Sequence, residues 1–247
     1  MYHFFVSPYQ IGEKEIRIEG SDVNHIKNVL RMRPGEMLRL CTGLDNMDYR
    51  CEIARIEEEA VVARILWVEE SGVELPSRLY LFQGLPKSDK MELIIQKAVE
   101  LGVYEIIPMA TARSVVKLDS KKAEAKVKRW NAISESAAKQ SKRMLIPKVG
   151  PVMNFGEAME YAGNLDVKLI PYELAEDMEK TRKILKHITP GQSVGIFIGP
   201  EGGFEEQEVE AALRSGAQSI TLGRRILRTE TAGMTVLSAL MLLLERR

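Results

Sequence analysis

Apolar and polar positions alternate in short runs over the first part of the chain, residues 1–70. Alternating and β-branched runs are typical of strands, and here they predict strands at residues 37–41, 49–56 and 60–68. Turn-forming glycine, proline and asparagine residues separate the runs. One segment, residues 22–30, has helical spacing instead. The pattern therefore indicates a small β-barrel domain with a single helical insert.

The pattern changes after a predicted linker at residues 71–76, and residues 77–247 alternate between strands and helices. Apolar runs predict strands at residues 79–83, 104–108 and 167–170. Helical spacing predicts helices at residues 88–101, 119–140, 155–162 and 176–187. This alternation is typical of an α/β domain in which helices cover both faces of a parallel sheet.

A glycine-rich loop follows the most strongly apolar run of this second domain. Residues 194–198 (VGIFI) predict a fully buried strand, which ends at the sequence GPEGG, residues 199–203. Acidic residues at 205, 206 and 208 then open a segment with helical spacing, where a helix N-terminus favours negative charge. Three glycines in five residues allow the main chain to approach a ligand closely. The loop can therefore bind the edge of a ligand with backbone groups.

A second unit repeats this order closer to the C-terminus. Residues 219–222 predict a short strand, residues 223–228 a basic loop, and Thr229 begins an apolar helix that either Thr229 or Thr231 can cap. Arg228 and Glu230 carry opposite charges beside this apolar element, an uncommon place for charge unless it is paired or used. A single glycine turn after a strand is ordinary in α/β proteins, but two such units at neighbouring strand ends favour a binding site.

The two loops do not match the common nucleotide-binding motifs. Neither the GPEGG loop nor the basic loop fits G-x-G-x-x-G or G-x-x-x-x-G-K-[ST], and no acidic residue is placed to bind a ribose as in a dinucleotide fold. An α/β enzyme that depends on NAD or ATP is therefore disfavoured.

Charge is balanced over the whole chain but not within it. The 247 residues include 35 Lys or Arg and 35 Asp or Glu. Between residues 113 and 148, however, eleven basic residues stand against three acidic ones. Such an excess attracts a nucleic acid backbone without sequence preference, although a long polar helix with one solvated face would give the same pattern. The candidate RNA contacts are Arg113, Lys117, Lys139, Lys142 and Arg143, with Lys87 and Lys90 before them and Arg31 and Arg33 in the barrel.

Cysteine content and apolar run lengths exclude several classes of protein. Cys41 and Cys51 both fall in predicted strands, lack metal-ligand spacing, and are too few for a disulfide framework, so reduced structural thiols and no metal site are expected. The longest apolar stretch, residues 236–244, is too short to span a bilayer, and no charged leader precedes an apolar segment at the N-terminus. These features predict a cytoplasmic protein without membrane contact.

Several motifs, in order along the chain, resemble those of one family. They are NHIKNVLRMRPG (24–35), QGLPKSDK (83–90), QKAVELG (96–102), RWN (129–131), AAKQ (137–140), GPEGGF (199–204) and LGRRILRTETA (222–232). Together they cover nearly the whole chain. The sequence closely resembles the RsmE family of 16S ribosomal RNA uridine-N3 methyltransferases, within the SPOUT superfamily.

The resemblance implies more than the patterns predict. It implies a PUA-like β-barrel that binds RNA, followed by a SPOUT methyltransferase domain with a C-terminal deep trefoil knot, an arrangement that general topology rules would exclude. It also implies a homodimer that binds S-adenosylmethionine in the knot and methylates N3 of a uridine in the small ribosomal subunit. Two alternatives remain open: another RNA target atom, or a non-catalytic RNA-binding protein.

The cofactor contacts that the resemblance implies lie in the two loops and beside them. They are Ile198, Gly199, Pro200, Glu201, Gly202, Gly203, Leu222, Gly223, Ile226, Leu227, Arg228 and Thr231, with Pro171, Tyr172 and Glu173 as the opposite wall.

Three residues are candidates for the chemical step. Uracil N3 carries a proton, so methylation there requires a base or a water relay, together with a cation or N–H donors for the charge that spreads to O2 and O4. Arg228 is the first choice for stabilising that charge, Glu230 is the best candidate for the base, and Glu201 is the second. Either glutamate could instead hold an arginine or the ammonium group of the cofactor.

Overall fold

The computed structural model describes residues 1–172 and 177–245. The chain divides into two compact units, one formed by Met1–Glu74 with Ala138–Ile146 and the other by Leu75–Ala137 with Pro147–Arg247. The division after residue 74 falls inside the predicted linker at 71–76. The sequence pattern gives no indication that residues 138–146 belong with the first unit.

A five-stranded mixed sheet forms the first unit. Its strands are β1 (Tyr2–Phe5), β2 (Glu15–Glu19), β3 (Met37–Cys41), β4 (Met47–Ile56) and β5 (Ala60–Glu70). They hydrogen-bond in the order β1-β3-β4-β5-β2, with β1 parallel to β3 and the other pairs antiparallel. The predicted barrel is thus a sheet whose edge strands, β1 and β2, do not pair with each other within the described residues. The predicted helix at 22–30 is a short helix, α1 (Ser21–Asn24), that continues as a π-helical turn.

Alternation along the strands builds the core of this unit. In β2, for example, Ile16 and Ile18 are fully buried while Glu15, Arg17 and Glu19 face outward. Both cysteines are free and lie in this core.

Neither thiol is readily deprotonated. Burial raises the pKa of Cys41 and of Cys51 to about 12. Both side chains are free and buried, which agrees with the prediction of structural thiols outside a disulfide.

His3 makes the stability of the first unit depend on pH. Its Nε2 atom lies 2.9 Å from Sγ of Cys41, and burial, followed by the positive charge of Arg39, lowers its pKa from 6.5 to about 4, against the opposing effect of Asp48. The unfolded chain therefore binds a proton at a pH where the folded chain does not. The contribution of His3 to the free energy of unfolding is complete above pH 6.5 and is lost as the pH falls toward 4.

We expect this loss to be on the order of 2 kcal/mol, after allowance for the partial exposure of the ring. Urea unfolding of the wild type and of His3→Gln at several pH values measures it, because glutamine does not titrate. The stability of the wild type should fall relative to the variant as the pH is lowered. Parallel profiles for the two proteins would contradict the assignment.

A parallel sheet forms the second unit. Its strands are β6 (Arg78–Gly84), β7 (Val103–Ala110), β8 (Lys148–Val149), β9 (Met153–Asn154), β10 (Val167–Pro171), β11 (Ser193–Ile198) and β12 (Gln218–Ile220). They run in the order β12-β10-β11-β6-β7-β8, with β9 also paired to β7. The helices described in this region are α2 (Lys90–Glu100), α3 (Ser120–Ser141), α4 (Phe155–Tyr161), α5 (Met178–Lys186), α6 (Glu206–Arg214) and α7 (Thr229–Leu244).

Helices cover both faces of this sheet, as predicted. α2 and α7 pack together, with α7 against β6 and β11. On the opposite face, α4 and α6 pack over the stacked rings of Phe82 and Phe197, whose centroids are 4.4 Å apart. The predicted elements agree with the observed ones to within a few residues, apart from the start of the helix predicted at 176–187, since residue 176 lies outside the described residues.

Among the described residues, no helix is long and apolar enough to cross a membrane. The same residues contain no group of three or more His, Cys, Asp or Glu side chains that could share a metal ion.

Candidate active site

The first glycine loop turns sharply at the end of β11. Gly203 has φ 68°, a left-handed conformation that glycine adopts without strain, and its N–H donates to the carbonyl of Pro200 at 2.9 Å. Helix α6 then begins with a capping box in which Glu205 and Glu208 satisfy each other's backbone N–H groups. The predicted order of strand, glycine loop and helix is confirmed.

The second loop leads into α7 in a way that corrects the predicted cap. The N-cap residue is Arg228, whose side chain makes no capping hydrogen bond within the described residues and whose carbonyl accepts from the N–H of Ala232 at 2.8 Å. The prediction that Thr229 or Thr231 caps the helix is wrong. Thr229 is the first helical residue, and its hydroxyl is used in a contact with the first loop.

A buried relay of hydrogen bonds joins the two loops to β6. Nε2 of Gln83 donates to Oγ1 of Thr229 at 2.9 Å, and that hydroxyl donates to the carbonyl of Gly199 at 2.6 Å. Gln83 is fully buried and Thr229 is only 6% exposed, so these bonds are protected from competition with water. The relay holds both loops at the carboxyl edge of the parallel sheet, where α/β folds place their ligands.

Gly84 allows β6 to end directly against the first loop. A Cβ atom at this position would lie 2.6 Å from both N and Cδ of Pro200 and 2.9 Å from the carbonyl carbon of Gly199. Only a residue without a side chain permits this approach. Gln83 and Gly84 both lie in a motif of the family resemblance, but the sequence alone assigns neither of them a role.

Lys90 connects the two candidate glutamates. Its ammonium group donates to Oε1 of Glu201 at 2.9 Å and lies 3.7 Å from Oε2 of Glu230. The backbone N–H of Lys87 also donates to the Glu201 carboxylate, at 3.1 Å. The three side chains tie the first loop, α2 and α7 together.

The two glutamates differ in their surroundings. Burial alone would raise the pKa of Glu201, but its hydrogen bonds to Lys90 and to backbone N–H groups outweigh burial and lower the pKa below its usual value. Glu201 is therefore a firmly ionised and already hydrogen-bonded carboxylate. By contrast, Oε2 of Glu230 is buried without a hydrogen-bond partner among the described residues.

The remaining predicted cofactor residues surround the two loops. Ile198 is 3% exposed at the end of β11. Pro171 pairs with Ile220 at the end of β10, and the N–H of Tyr172 donates to the carbonyl of Ile220 at 3.0 Å, which places both beside the second loop. Glu173, predicted as part of the same wall, lies outside the described residues.

The tip of the second loop is open to solvent. Gly223 has φ 103°, and Leu222, Gly223 and Leu227 are partly buried. Ile226 is 91% exposed, and Arg228 and Thr231 are also exposed. Contact of these side chains with a cofactor remains a prediction.

Some of the predicted RNA contacts in the second unit are exposed to solvent. Lys87, Arg113 and Lys117 are exposed. Arg113 also donates from Nη1 to the carbonyl of Gly202 at 3.0 Å, so it supports the first loop. Lys90 binds Glu201 and lies beside Glu230, so its observed contacts belong to the candidate site. Its contact with RNA stays a prediction.

Among the predicted RNA contacts that lie in the first unit, one is wrong. Arg31, Arg33 and Lys142 are exposed, and Lys139 is half-buried, 3.8 Å from Asp22. Arg143, however, is 5% exposed, and its guanidinium group is bound to Glu74, with Nε 3.1 Å from Oε2. A buried arginine held by a carboxylate is not available to a phosphate.

Family models match both parts of the chain. An RNA methyltransferase domain model matches residues 73–241, and an RNA methyltransferase PUA domain model matches residues 18–66. The first of these matches alone covers more than half of the chain.

Relatives and solved structures resemble the chain over nearly its whole length. Ribosomal RNA small subunit methyltransferase E of Bacillus subtilis is 40% identical, over 97% of this chain and 94% of its own. A crystal structure of the corresponding enzyme from Neisseria gonorrhoeae, bound to S-adenosyl methionine, is 32% identical, with a TM-score of 0.83 over 98% of each chain.

A methyltransferase described as putative, from Legionella pneumophila and solved with SAM, is 33% identical, with a TM-score of 0.80 over 98% of this chain and 96% of its own. Because the domain model and relatives of this identity agree along nearly the whole length, the chain belongs to the RsmE family of ribosomal RNA small subunit methyltransferases.

Proposed function

We propose that this protein transfers the methyl group of S-adenosylmethionine to N3 of a specific uridine in the 16S ribosomal RNA of the small ribosomal subunit. The observation that carries the proposal is the relay from Gln83 through Thr229 to Gly199, which joins two glycine-containing loops at one sheet edge. Two similar proteins have been solved with this cofactor. The uridine and its N3 atom come from the family resemblance.

The residues around the loops suit this cofactor. Main-chain groups of residues 199–203, 222–223 and 226–228 would bind its polar edges, and Ile198, Leu222 and Leu227 would surround the adenine. One buried acceptor beside the first loop, Oε1 of Gln83, has no hydrogen-bond partner among the described residues. A buried acceptor in this state favours a ligand that brings a donor. When bound, the cofactor supplies an electrophilic methyl group.

The proposal includes the deep trefoil knot. Strand β12 lies at one edge of the sheet, beyond β10, whereas the helix that follows it, α7, packs on β6, β11 and α2. The chain between them, residues 221–228, therefore has to pass the ends of β10 and β11. Such a course supports the proposed threading of the C-terminus.

Two residues of this chain act on the uracil: one accepts the proton that leaves N3, and the other stabilises the negative charge that develops. Glu230 accepts the N3 proton, since its Oε2 atom is buried and not yet hydrogen-bonded, whereas Glu201 is occupied by Lys90 and the N–H of Lys87. Arg228, at the start of α7, stabilises the negative charge that spreads to O2 and O4 of the uracil. Glu201 thus has a structural role, and Glu230 is the base.

The active species in the proposal is a homodimer in the cytoplasm, where the small ribosomal subunit is found. Several apolar residues of α7, among them Val236, Leu237 and Leu240, are buried within the single chain. Leu242 and Leu243, in contrast, are 76% and 51% exposed. A second copy of the chain would cover them.

Two measurements test the proposed function. Isothermal titration of the purified protein with S-adenosylmethionine should give saturable heat, and mass spectrometry of small-subunit RNA treated with protein and cofactor should show one new N3-methyluridine. The absence of heat at millimolar cofactor would remove the enzymatic function. A methyl group on a ribose oxygen or on another base would retain the enzyme but overturn its assigned target atom.

A further inference from the structure

A cavity of about 190 Å³ in the second unit has no role in the site described above. It lies between the segment that leads from β6 into α2, the loop before α3, and α3 itself. Its lining includes Leu85, Met91, Leu118 and Trp130. Binding sites for whole ligands usually measure about 300–1,000 Å³. A cavity of this size therefore suits one ring system better than an entire nucleotide.

The cavity has an apolar floor and a polar rim. Leu85, Met91 and Trp130 are each no more than 3% exposed. Asp89 and Lys126, which also line the cavity, are exposed, and the Lys126 ammonium lies 5.9 Å from the centroid of the Trp130 ring. A second acidic residue of the lining, Glu92, is bound by Arg129, with Nε 2.7 Å from Oε1. An apolar slot with carboxylates and an ammonium at its mouth suits a flat ring that has polar edges and a neighbouring anionic group.

The Asp89 carboxylate is placed to accept hydrogen bonds. Asp89 is the N-cap residue of α2, yet its side chain makes no capping hydrogen bond within the described residues. An ionised carboxylate can only accept hydrogen bonds, and it binds most strongly to a partner with two adjacent N–H groups. Among the four RNA bases, guanine presents two adjacent N–H donors on its pairing edge.

The backbone links this cavity to the candidate active site. Pro86 and Ser88 line the cavity, and the N–H of Lys87 between them donates to Glu201 in the first glycine loop. Ser88 has φ 57°, an uncommon conformation for a residue with a side chain. The same short segment thus borders both sites, so a base bound in the cavity would lie close to a nucleotide bound at the candidate active site.

We propose that this cavity binds one unstacked base of the RNA, a guanine near the methylated uridine. Asp89 accepts from its N–H groups, Lys126 contacts the adjoining phosphate, and the apolar floor packs against the ring. Sequence-specific RNA recognition commonly uses such splayed bases, because single-stranded regions expose their pairing edges. This inference rests on the proposed function, since it identifies part of how the same enzyme selects its substrate.

Tryptophan fluorescence tests the binding directly. The chain has two tryptophans, and Trp67 lies in the first unit, so the Trp67→Phe variant leaves Trp130 as the only one. Titration of the cofactor-bound variant with GMP and with UMP should quench Trp130 with GMP at concentrations at least tenfold lower than with UMP. Asp89→Asn in the same background should remove this preference. Equal quenching by both nucleotides, or none, would overturn the proposal.

Enzyme kinetics provide the second arm. Leu118→Phe fills the cavity, and Val115→Phe is its matched control, because Val115 is 67% exposed and is not part of the cavity lining. We expect Leu118→Phe to raise KM for small ribosomal subunits at least tenfold with little change in kcat, and Val115→Phe to change neither.

Other outcomes separate the two proposals. An unchanged KM for Leu118→Phe, with cofactor binding and cooperative unfolding intact, would overturn the base-binding cavity and leave the proposed function standing. A change in dimerisation with no change in KM would assign the cavity to a second copy of the chain and would also overturn it. A wild-type protein that fails to bind S-adenosylmethionine would instead remove the proposed function.

Discussion

Replacement of Glu230 with glutamine is expected to lower kcat for RNA methylation by about 100- to 10,000-fold, the range that a general base commonly contributes. Glutamine keeps the size of the side chain but cannot accept a proton. Since the change acts on the proton transfer, the affinity for S-adenosylmethionine should stay within a few-fold of the wild type. Single-turnover methylation of small ribosomal subunits measures the rate, and isothermal titration measures the affinity.

Glu201→Gln is the matched control, because it makes the same chemical change in a carboxylate already held by Lys90 and the Lys87 N–H. This variant should loosen the first loop and weaken cofactor binding more than it slows the chemical step. The opposite pattern would make Glu201 the base. A large loss of cofactor affinity in Glu230→Gln, with kcat preserved, would mean that Glu230 holds the cofactor's ammonium group.

The sequence predicts those features of this fold that depend on local pattern. Apolar runs and helical spacing are properties of neighbouring residues, so the parallel sheet, its covering helices and the two loops after β11 and β12 follow from them. The very short strands β8 and β9 are not predicted, because two residues carry no periodicity. The proposed knot also lies beyond such patterns, since threading is a property of the whole path of the chain.

Contacts between distant parts of the chain account for the predictions that are wrong. Arg143 belongs to a basic segment by count, but its partner, Glu74, is 69 positions away. Thr229 looks like a helix cap, but its hydroxyl bonds to Gly199 instead. Likewise, nothing near Gln83 indicates that its amide reaches a threonine 146 positions away. Residue type suggests what a side chain can do, and the tertiary fold decides which partner it finds.

Gly84→Ala is expected to weaken S-adenosylmethionine binding at least tenfold and to lower the free energy of unfolding by about 1–3 kcal/mol, the usual cost of an inserted methyl in a close-packed region. The added Cβ would lie 2.6 Å from N and Cδ of Pro200. Relief requires the backbone of the first loop to move, and that loop is held by the 2.6 Å hydrogen bond from Thr229 to Gly199. Isothermal titration and urea unfolding measure the two effects.

Gly233→Ala adds the same methyl group on the other side of Gln83 and serves as the control. Its Cβ would lie 3.6–3.7 Å from Leu81, Gln83 and Ile198, which is ordinary contact. Because Gly233 lies inside α7, alanine should stabilise the helix by about 0.5–1 kcal/mol and leave cofactor affinity unchanged. Equal cofactor affinity in the two alanine variants would show that the approach of β6 to the first loop does not shape the binding site. A loss of cofactor affinity in Gly84→Ala alone would show that cofactor binding depends on the point where the two loops and β6 meet.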